Sequence, residues 1–263
     1  MDLGLNNKMA LVAAASRGLG RAVAEELAAE GASLVICSRS KEKISQTAKE
    51  IADSTGAKIL AIAADVSKPD DVSRLTQLAI ERFGRIDILV TNAGGPPAGP
   101  FASFSLEQWD AATNLLLRSV VALTQAVLPG MKERGWGRIL NITSIAVKQP
   151  VDNLILSNSL RAAVTGLART LANEIAPFGV TVNNILPGYT RTERVEELAQ
   201  MMAAKQGITP AEFIARWEHE IPMRRIGEPR EFAALAAFLV SGRAGYITGT
   251  SVQVDGGWIR AIM

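Results

Sequence analysis

The sequence predicts an α/β protein, a doubly wound parallel sheet with helices on both faces, and three observations predict it. Seven short runs are continuously apolar, as strands buried on both faces must be. Helical segments separate these runs in near-strict alternation, the pattern of parallel strands joined by right-handed crossovers. The first run also leads into a glycine-bearing turn, Ala13-Ala14-Ala15-Ser16-Arg17-Gly18-Leu19-Gly20, that opens the first helix.

In chain order the strand runs are MALVAA (9–14), SLVICS (33–38), ILAIAA (59–64), IDILVT (86–91), RILNIT (138–143), VTVNNIL (180–186) and SVQVD (251–255). Helices are expected at about 18–30, 41–54, 70–83, 106–133, 153–176 and 229–240, with a further helical patch around 191–220. No linker rich in Pro, Ser or Gly divides the chain and no repeat is evident. The expected organisation is a single domain over 1–263.

Composition narrows the function classes. The chain has 263 residues, long enough to bury roughly three quarters of its extended surface. Apolar residues make up 48% and charged residues 21%, ordinary for a soluble globular protein and too apolar for disorder. The net charge of +2 comes from 28 basic and 26 acidic residues spread along the chain, so no nucleic acid or membrane partner is expected. Met9 to Ala15 is short and weakly preceded by charge for a signal-peptide core, and no apolar run approaches a membrane span. Cys37 is the single cysteine, which excludes an internal disulfide and makes a cytoplasmic location the expectation. One His and one Cys argue against a transition-metal cage.

The glycine turn places backbone N–H groups and a helix N-terminus at the end of the first strand, where a pyrophosphate is held in sheets of this type. About twenty residues further on, an acidic residue would hold a ribose 2′-hydroxyl. Here the second strand ends in Cys37-Ser38-Arg39. A Ser–Arg pair, helped by Arg17, neutralises a 2′-phosphate instead, so NADP(H) is favoured over NAD(H). The alternative is that Arg17 and Arg39 are solvated surface charges.

These features belong to a longer set in fixed order: Ala64-Asp65-Val66, Thr91-Asn92-Ala93-Gly94, Asn141-Ile142-Thr143-Ser144, Pro187-Gly188 followed by Thr192, Arg225-Ile226-Gly227-Glu228-Pro229, Tyr246-Ile247-Thr248-Gly249 and Val254-Asp255-Gly256-Gly257. With them the chain resembles the short-chain dehydrogenase/reductase family over nearly its whole length, and most of all the beta-ketoacyl carrier-protein reductase group. The resemblance implies a Rossmann fold that binds a nicotinamide dinucleotide through Ser16, Arg17, Gly18, Leu19, Gly20, Ser38, Arg39, Asp65, Val66, Asn92, Ala93, Gly94, Pro187, Gly188, Thr190 and Thr192. It also implies a substrate lid at about 190–225 and a homodimer or homotetramer, for which Ala162, Ala163 and Gly166 permit close helix approach. The family's first turn glycine is replaced by Ala14, harmless in extended backbone and costing roughly 1–2 kcal/mol in a left-handed one.

Carrying the family's catalytic positions over, the hydroxyl that polarises the substrate carbonyl falls on Ser144. The tyrosine position falls on Ser157, the lysine position on Arg161 and the helix asparagine on Leu116, with Asn114 two residues early. Serine cannot take over an acid whose pKa of about 10 is drawn down by an adjacent ammonium. Arginine keeps the positive charge but does not relay a proton. Tyr189, Lys148 and Asp152 are candidate replacement acids, or else a packing residue, a solvated loop charge and a helix N-cap respectively. Ser144 is either a catalytic hydroxyl or a turn cap. Met201, Met202, Ile208, Phe213, Ile214 and Trp217 line an apolar mouth or form the lid's own packing face, and His219 is expected to be structural. The implied function is NADP(H)-dependent interconversion of a small-molecule carbonyl and a secondary alcohol; the alternative is a catalytically silent NADP(H)-binding protein.

Overall fold

The structure is a computed structural model that describes residues 2–262. Its first half runs β1 (Met9–Val12), α1 (Gly18–Ala29), β2 (Ser33–Ser38), α2 (Lys41–Thr55), β3 (Ile59–Ala63), α3 (Pro69–Phe83) and β4 (Ile88–Thr91). The second half runs α4 (Leu106–Thr113), α5 (Ser119–Glu133), β5 (Gly137–Ile142), α6 (Ile155–Ile175), β6 (Val180–Pro187), α7 (Glu193–Gln206), α8 (Pro210–Glu220), α9 (Pro229–Leu239) and β7 (Ser251–Val254). All seven strands pair in parallel in the order β3-β2-β1-β4-β5-β6-β7, the doubly wound Rossmann arrangement expected from the sequence. The chain winds outward from β1 to β3 and then returns beside β1 as β4, so the strand order reverses between β1 and β4. That reversal opens a crevice at the carboxyl ends of the two strands, the place where such sheets bind ligands.

Continuous apolar runs form buried strands because both faces are covered. Ala10 and Val12 of β1 join the core under α1 and α9, while Met9 and Leu11 join the core under α3, α5 and α6. β2 repeats this alternation with Leu34 and Ile36 against Val35 and Cys37. Burial pushes the Cys37 thiol up to about 11, which leaves it a small apolar core residue. Helix ends follow local chemistry. Ser40 caps α2 by accepting from Lys43 N at 3.3 Å, Pro69 opens α3, and Gly56 and Gly84 close α2 and α3 in left-handed backbone.

Three local expectations are corrected. β1 stops at Val12 because Ala14 turns left-handed, with φ at 50°. The helix expected at 106–133 is α4 and α5 joined by a π-helical turn at Asn114–Arg118. That rod, Leu106–Glu133, is long and apolar enough to cross a membrane, although no apolar run of that length was expected. Its stripe of Leu123, Val127 and Met131 is buried against Leu89 and Ile139 of the sheet.

A row of polar side chains crosses the carboxyl half of the sheet in register. Thr91 Oγ1 donates to Asn141 Oδ1 at 2.7 Å, Asn141 Nδ2 to Asn184 Oδ1 at 3.1 Å, and Asn184 Nδ2 to Ser251 Oγ at 3.0 Å. The row ties β4, β5, β6 and β7 together just below the strand ends that carry the site. Thr91, Asn141 and Asn184 are buried, so loss of one partner strands another without water.

Candidate functional site

The glycine turn is shaped by two close approaches. A Cβ on Gly20 would lie 2.5 Å from the Ala14 carbonyl oxygen and 2.7 Å from Asn92 Nδ2, so only glycine lets α1 begin against the end of β4. Asn92 Nδ2 donates to that same Ala14 oxygen at 3.4 Å. Gly18 is left-handed at φ 57°, and Ala14 adopts the costly alternative named for it. Leu19 packs inward on the core, and the Ser16 carbonyl accepts from Thr47 Oγ1 at 3.2 Å, fixing the turn from behind.

α1 starts without a side-chain cap and without an acidic residue in its first turn. Its leading N–H groups therefore face the crevice uncommitted, with the helix dipole adding positive potential there. Arg39 is exposed at the end of β2 and pairs with no acid among the described residues. Ser38 Oγ donates to Ser40 O at 3.1 Å. Asp65 accepts from Ser67 N and Oγ at 3.1 and 2.7 Å, and Val66 is buried beside it. Gly94 is exposed with open space where a side chain would be, and Ala93 packs with Leu116, Leu156 and Leu160. Gly188 is again a forced choice, since a Cβ there would lie 2.7 Å from Asp255 Cα. It follows Pro187, and Thr190 Oγ1 donates back to Gly188 O at 3.4 Å. The set fits a dinucleotide: a bare helix N-terminus behind the left-handed Gly18, and open space at Gly94.

The segment at 190–225 folds over this crevice. α7 and α8 pack on one another through Ala199, Ala203, Phe213, Trp217, Ile221 and Ile226, so Phe213 and Trp217 form the segment's own packing face. Met201 remains exposed, with Met202, Ile208 and Ile214 half-buried. The Thr192 side chain lies 3.6 Å from the Cβ position of Gly18, and Arg17 pairs with Glu197 at 3.0 Å. Arg17 is thus not a free charge here, but both partners are half exposed and such a pair is worth about 0–1 kcal/mol.

At the end of β5, Ser144 Oγ accepts from Ala146 N at 3.1 Å and caps the turn Ile145–Val147. Capping uses an acceptor lone pair and leaves the hydroxyl proton uncommitted. On α6, Arg161 Nε donates to Ser157 Oγ at 3.2 Å, and its NH1 donates to Ile142 O at 3.0 Å and Thr143 O at 2.9 Å. The guanidinium is pinned to the carboxyl end of β5, and burial, followed by the charge of Arg194, pulls its pKa down to about 10. It stays protonated at neutral pH. Buried Thr143 Oγ1 has no hydrogen-bond partner and borders the same small cavity as Asn92, Ala93 and Arg161.

The candidate replacement acids separate. Tyr189 stacks on Trp217 with ring centroids 4.3 Å apart and meets Trp258 edge-on at 5.9 Å. Burial, then Glu220, pushes its phenol up to about 12. Lys148 is half-buried with no acid partner among the described residues. Asp152 is exposed and is not the N-cap of α6, because the helix begins three residues later, with Leu154 at its cap. Leu116 is buried, and Asn114 points away to accept from Arg118 NH1 at 3.3 Å. His219 is exposed and offers its carbonyl to Arg224.

One residue at the site escaped sequence reasoning. Arg194, in the first turn of α7, donates through NH2 to Pro96 O at 3.3 Å and lies against Gly95, within Coulombic reach of Arg161. Its only sequence signal is its place two residues after Thr192, which does not distinguish it from the lid's other charges.

The architecture and the turn define a doubly wound α/β protein of the nucleotide-binding type. Comparison with known proteins is specific. Residues 13–259 match the family described as Enoyl-(Acyl carrier protein) reductase. Oxidoreductase UcpA of Escherichia coli is 37% identical over 254 residues, covering 96% of this chain and 95% of that protein. Dehydrogenase/reductase SDR family member 4 of Sus scrofa is 34% identical over 254 residues, covering 96% and 88%. The solved structure of L-sorbose reductase from Gluconobacter frateurii, complexed with NADPH and L-sorbose, superposes with a TM-score of 0.95 at 32% identity over the whole of both chains. The chain belongs to the short-chain dehydrogenase/reductase family, a family of oxidoreductases that act with nicotinamide cofactors.

Proposed function

We propose that the protein is an NADP(H)-dependent oxidoreductase that interconverts a ketone and a secondary alcohol. The observation that carries this reading is that an uncapped helix N-terminus and the Ser144 hydroxyl, whose proton is free, both lie at the carboxyl ends of the parallel strands, two strands apart. NADP(H) is preferred over NAD(H) because Arg39 stands unpaired at the end of β2, where it would hold a 2′-phosphate, and no carboxylate stands at 37–39 to hold the ribose instead. The solved relative complexed with NADPH and L-sorbose supports the same assignment.

When bound, the reduced cofactor supplies hydride to the carbonyl carbon, and the oxygen takes up one proton. Ser144 donates its hydroxyl proton into a hydrogen bond with the carbonyl oxygen and orients it. Arg161 keeps its NH2 group for a ribose hydroxyl, while Nε and NH1 hold it to Ser157 and β5. Ser157 accepts from Arg161 through a lone pair and passes its own proton to the forming alkoxide, taking a replacement from solvent. Such a relay is weaker than a tyrosine whose pKa is drawn toward neutrality, and positioned acid catalysis is worth roughly 10²–10⁴ in rate. Turnover is therefore slow rather than absent. Self-association is part of this reading and would use the exposed face of α6 at Ala162, Ala163 and Gly166; a monomer on gel filtration contradicts it.

The test is a fluorescence titration with NADPH and NADH, followed by cofactor consumption against a panel of ketones. NADPH should bind more tightly, Arg39→Ala should erase the difference, and Ser144→Ala should abolish turnover while leaving binding intact. Binding without turnover on any carbonyl assigns the chain to the silent class. Activity that appears only in the double variant Ser157→Tyr with Arg161→Lys does the same.

A further inference from the structure

Resting on the oxidoreductase reading, we infer that the substrate carries a carboxylate close to its reactive carbonyl, and that Arg194 on the lid binds it opposite Arg161. Arg161 approaches the site from the floor, pinned to the end of β5, while Arg194 approaches from the lid, laid across Gly95 and donating to Pro96 O. Neither has an acidic partner among the described residues. Three other arginines around this crevice are neutralised, Arg17 by Glu197, Arg21 by Glu25 and Glu50, and Arg191 by Glu218 and Glu228, while Arg39 at the end of β2 is unpaired.

The exception does not arise from a shortage of acids on α7. Glu197 stands three residues after Arg194, in helical reach of it, yet pairs across the crevice with Arg17. Glu193 turns toward Gly18, with Oε2 3.8 Å from the Cβ position there. Arg194 is thereby left with a single carbonyl. Neither guanidinium has a counter-ion, and like charges repel: after burial, the charge of Arg194 contributes to the lowered pKa of Arg161. A planar carboxylate held by Arg194 offsets that repulsion and matches the donor fork of Arg194, while Arg161 adds positive potential without giving up its own hydrogen bonds. Because Arg194 rides on the lid, an anionic substrate also draws the lid onto the site.

The experiment compares an acid with its uncharged twin. NADPH consumption is measured with 4-methyl-2-oxopentanoate and with its methyl ester, and calorimetry on the NADPH-loaded protein is run with oxamate and with ethyl oxamate. A charge-assisted contact predicts that the acid is favoured in kcat/KM by about 10- to 100-fold, and that oxamate binds where its ester does not. Arg194→Ala should abolish both preferences, Arg194→Lys should restore part of each, and NADPH affinity should be the same in all three proteins. Equal treatment of acid and ester overturns the inference, as does a loss of NADPH affinity in Arg194→Ala, which would assign the arginine to the cofactor. If no ketone turns over, the oxidoreductase reading fails alone, and oxamate binding still decides the anion site: Arg194-dependent binding upholds it and no binding ends it.

Discussion

Arg161 and Ser157, one helical turn apart on α6, are joined by an Nε–Oγ hydrogen bond of 3.2 Å, and the same guanidinium clamps the carbonyls of Ile142 and Thr143 at the end of β5. The pair links the helix to the sheet where the proposed chemistry takes place. Replacing Arg161 by Met should destabilise the protein by about 1–3 kcal/mol, because buried carbonyl oxygens lose a charged donor. Arg161→Lys should lose less stability, since the charge remains but one ammonium cannot reach Ser157 and both carbonyls together. Urea denaturation checks the order, and a Met variant as stable as the parent would refute the clamp.

The glycine turn predicts opposite outcomes for two small substitutions. Gly20→Ala drives a methyl into the Ala14 carbonyl and the Asn92 amide, which should cost about 1–3 kcal/mol and most of the NADPH affinity. Ala14→Gly relieves left-handed strain of about 1–2 kcal/mol. Glycine's larger unfolded-state entropy takes back about 0.5–1 kcal/mol, so a small net gain is expected. Midpoints in urea that fail to move in opposite directions would show that the turn relaxes.

Tyr189 should behave as a packed phenol. The chain has two tyrosines, so in Tyr246→Phe the phenolate absorbance reports Tyr189 alone and should rise in one step near pH 12. The sign follows from the raised value. The fold favours the neutral phenol, so its contribution to stability is complete below the unfolded value of about 10 and is lost as pH climbs from there through about 12. Tyr189→Phe should leave the neutral-pH rate unchanged, and a large drop in that rate would make Tyr189 the proton donor.

Glu231 governs part of the acid limb of stability. Two hydrogen bonds from Arg225, at 2.6 and 2.7 Å, and one from Glu228 N hold its carboxyl down to about 2 from an ordinary 4.5. A depressed value means stability that is present above pH 4.5 and lost as pH falls through about 2. Glu231→Gln should therefore flatten the fall in melting temperature across that window, and an unchanged slope would remove Glu231 from the account.

Much of the fold was legible because burial on both faces leaves its mark on every strand: Ala10 and Leu11 must both be apolar when helices cover both sides of β1. Local turns were less legible. The π-helical turn at Asn114–Arg118 has no composition of its own, and the left-handed state of Ala14 depends on α1 crowding against β4. At the candidate site, Ser144, Ser157 and Arg161 were singled out by position along a motif. What Arg161 grips depends on how α6 lies on β5, and the exposure of Arg194 depends on Glu197 reaching across the crevice to Arg17. Contacts between distant segments leave no local trace in sequence.

The pairing of β1 with β4 also bears on biosynthesis. Ala10 pairs with Ile88, with three complete crossovers in between, so the central strand keeps one ladder of amides open until the fourth strand has been made. At about 5–20 residues per second, a ribosome leaves that edge bare for on the order of ten seconds. During that interval the nascent β1–β2–β3 half, apolar on both faces, is the species most prone to aggregate, and chaperone demand should fall once residue 91 clears the exit tunnel.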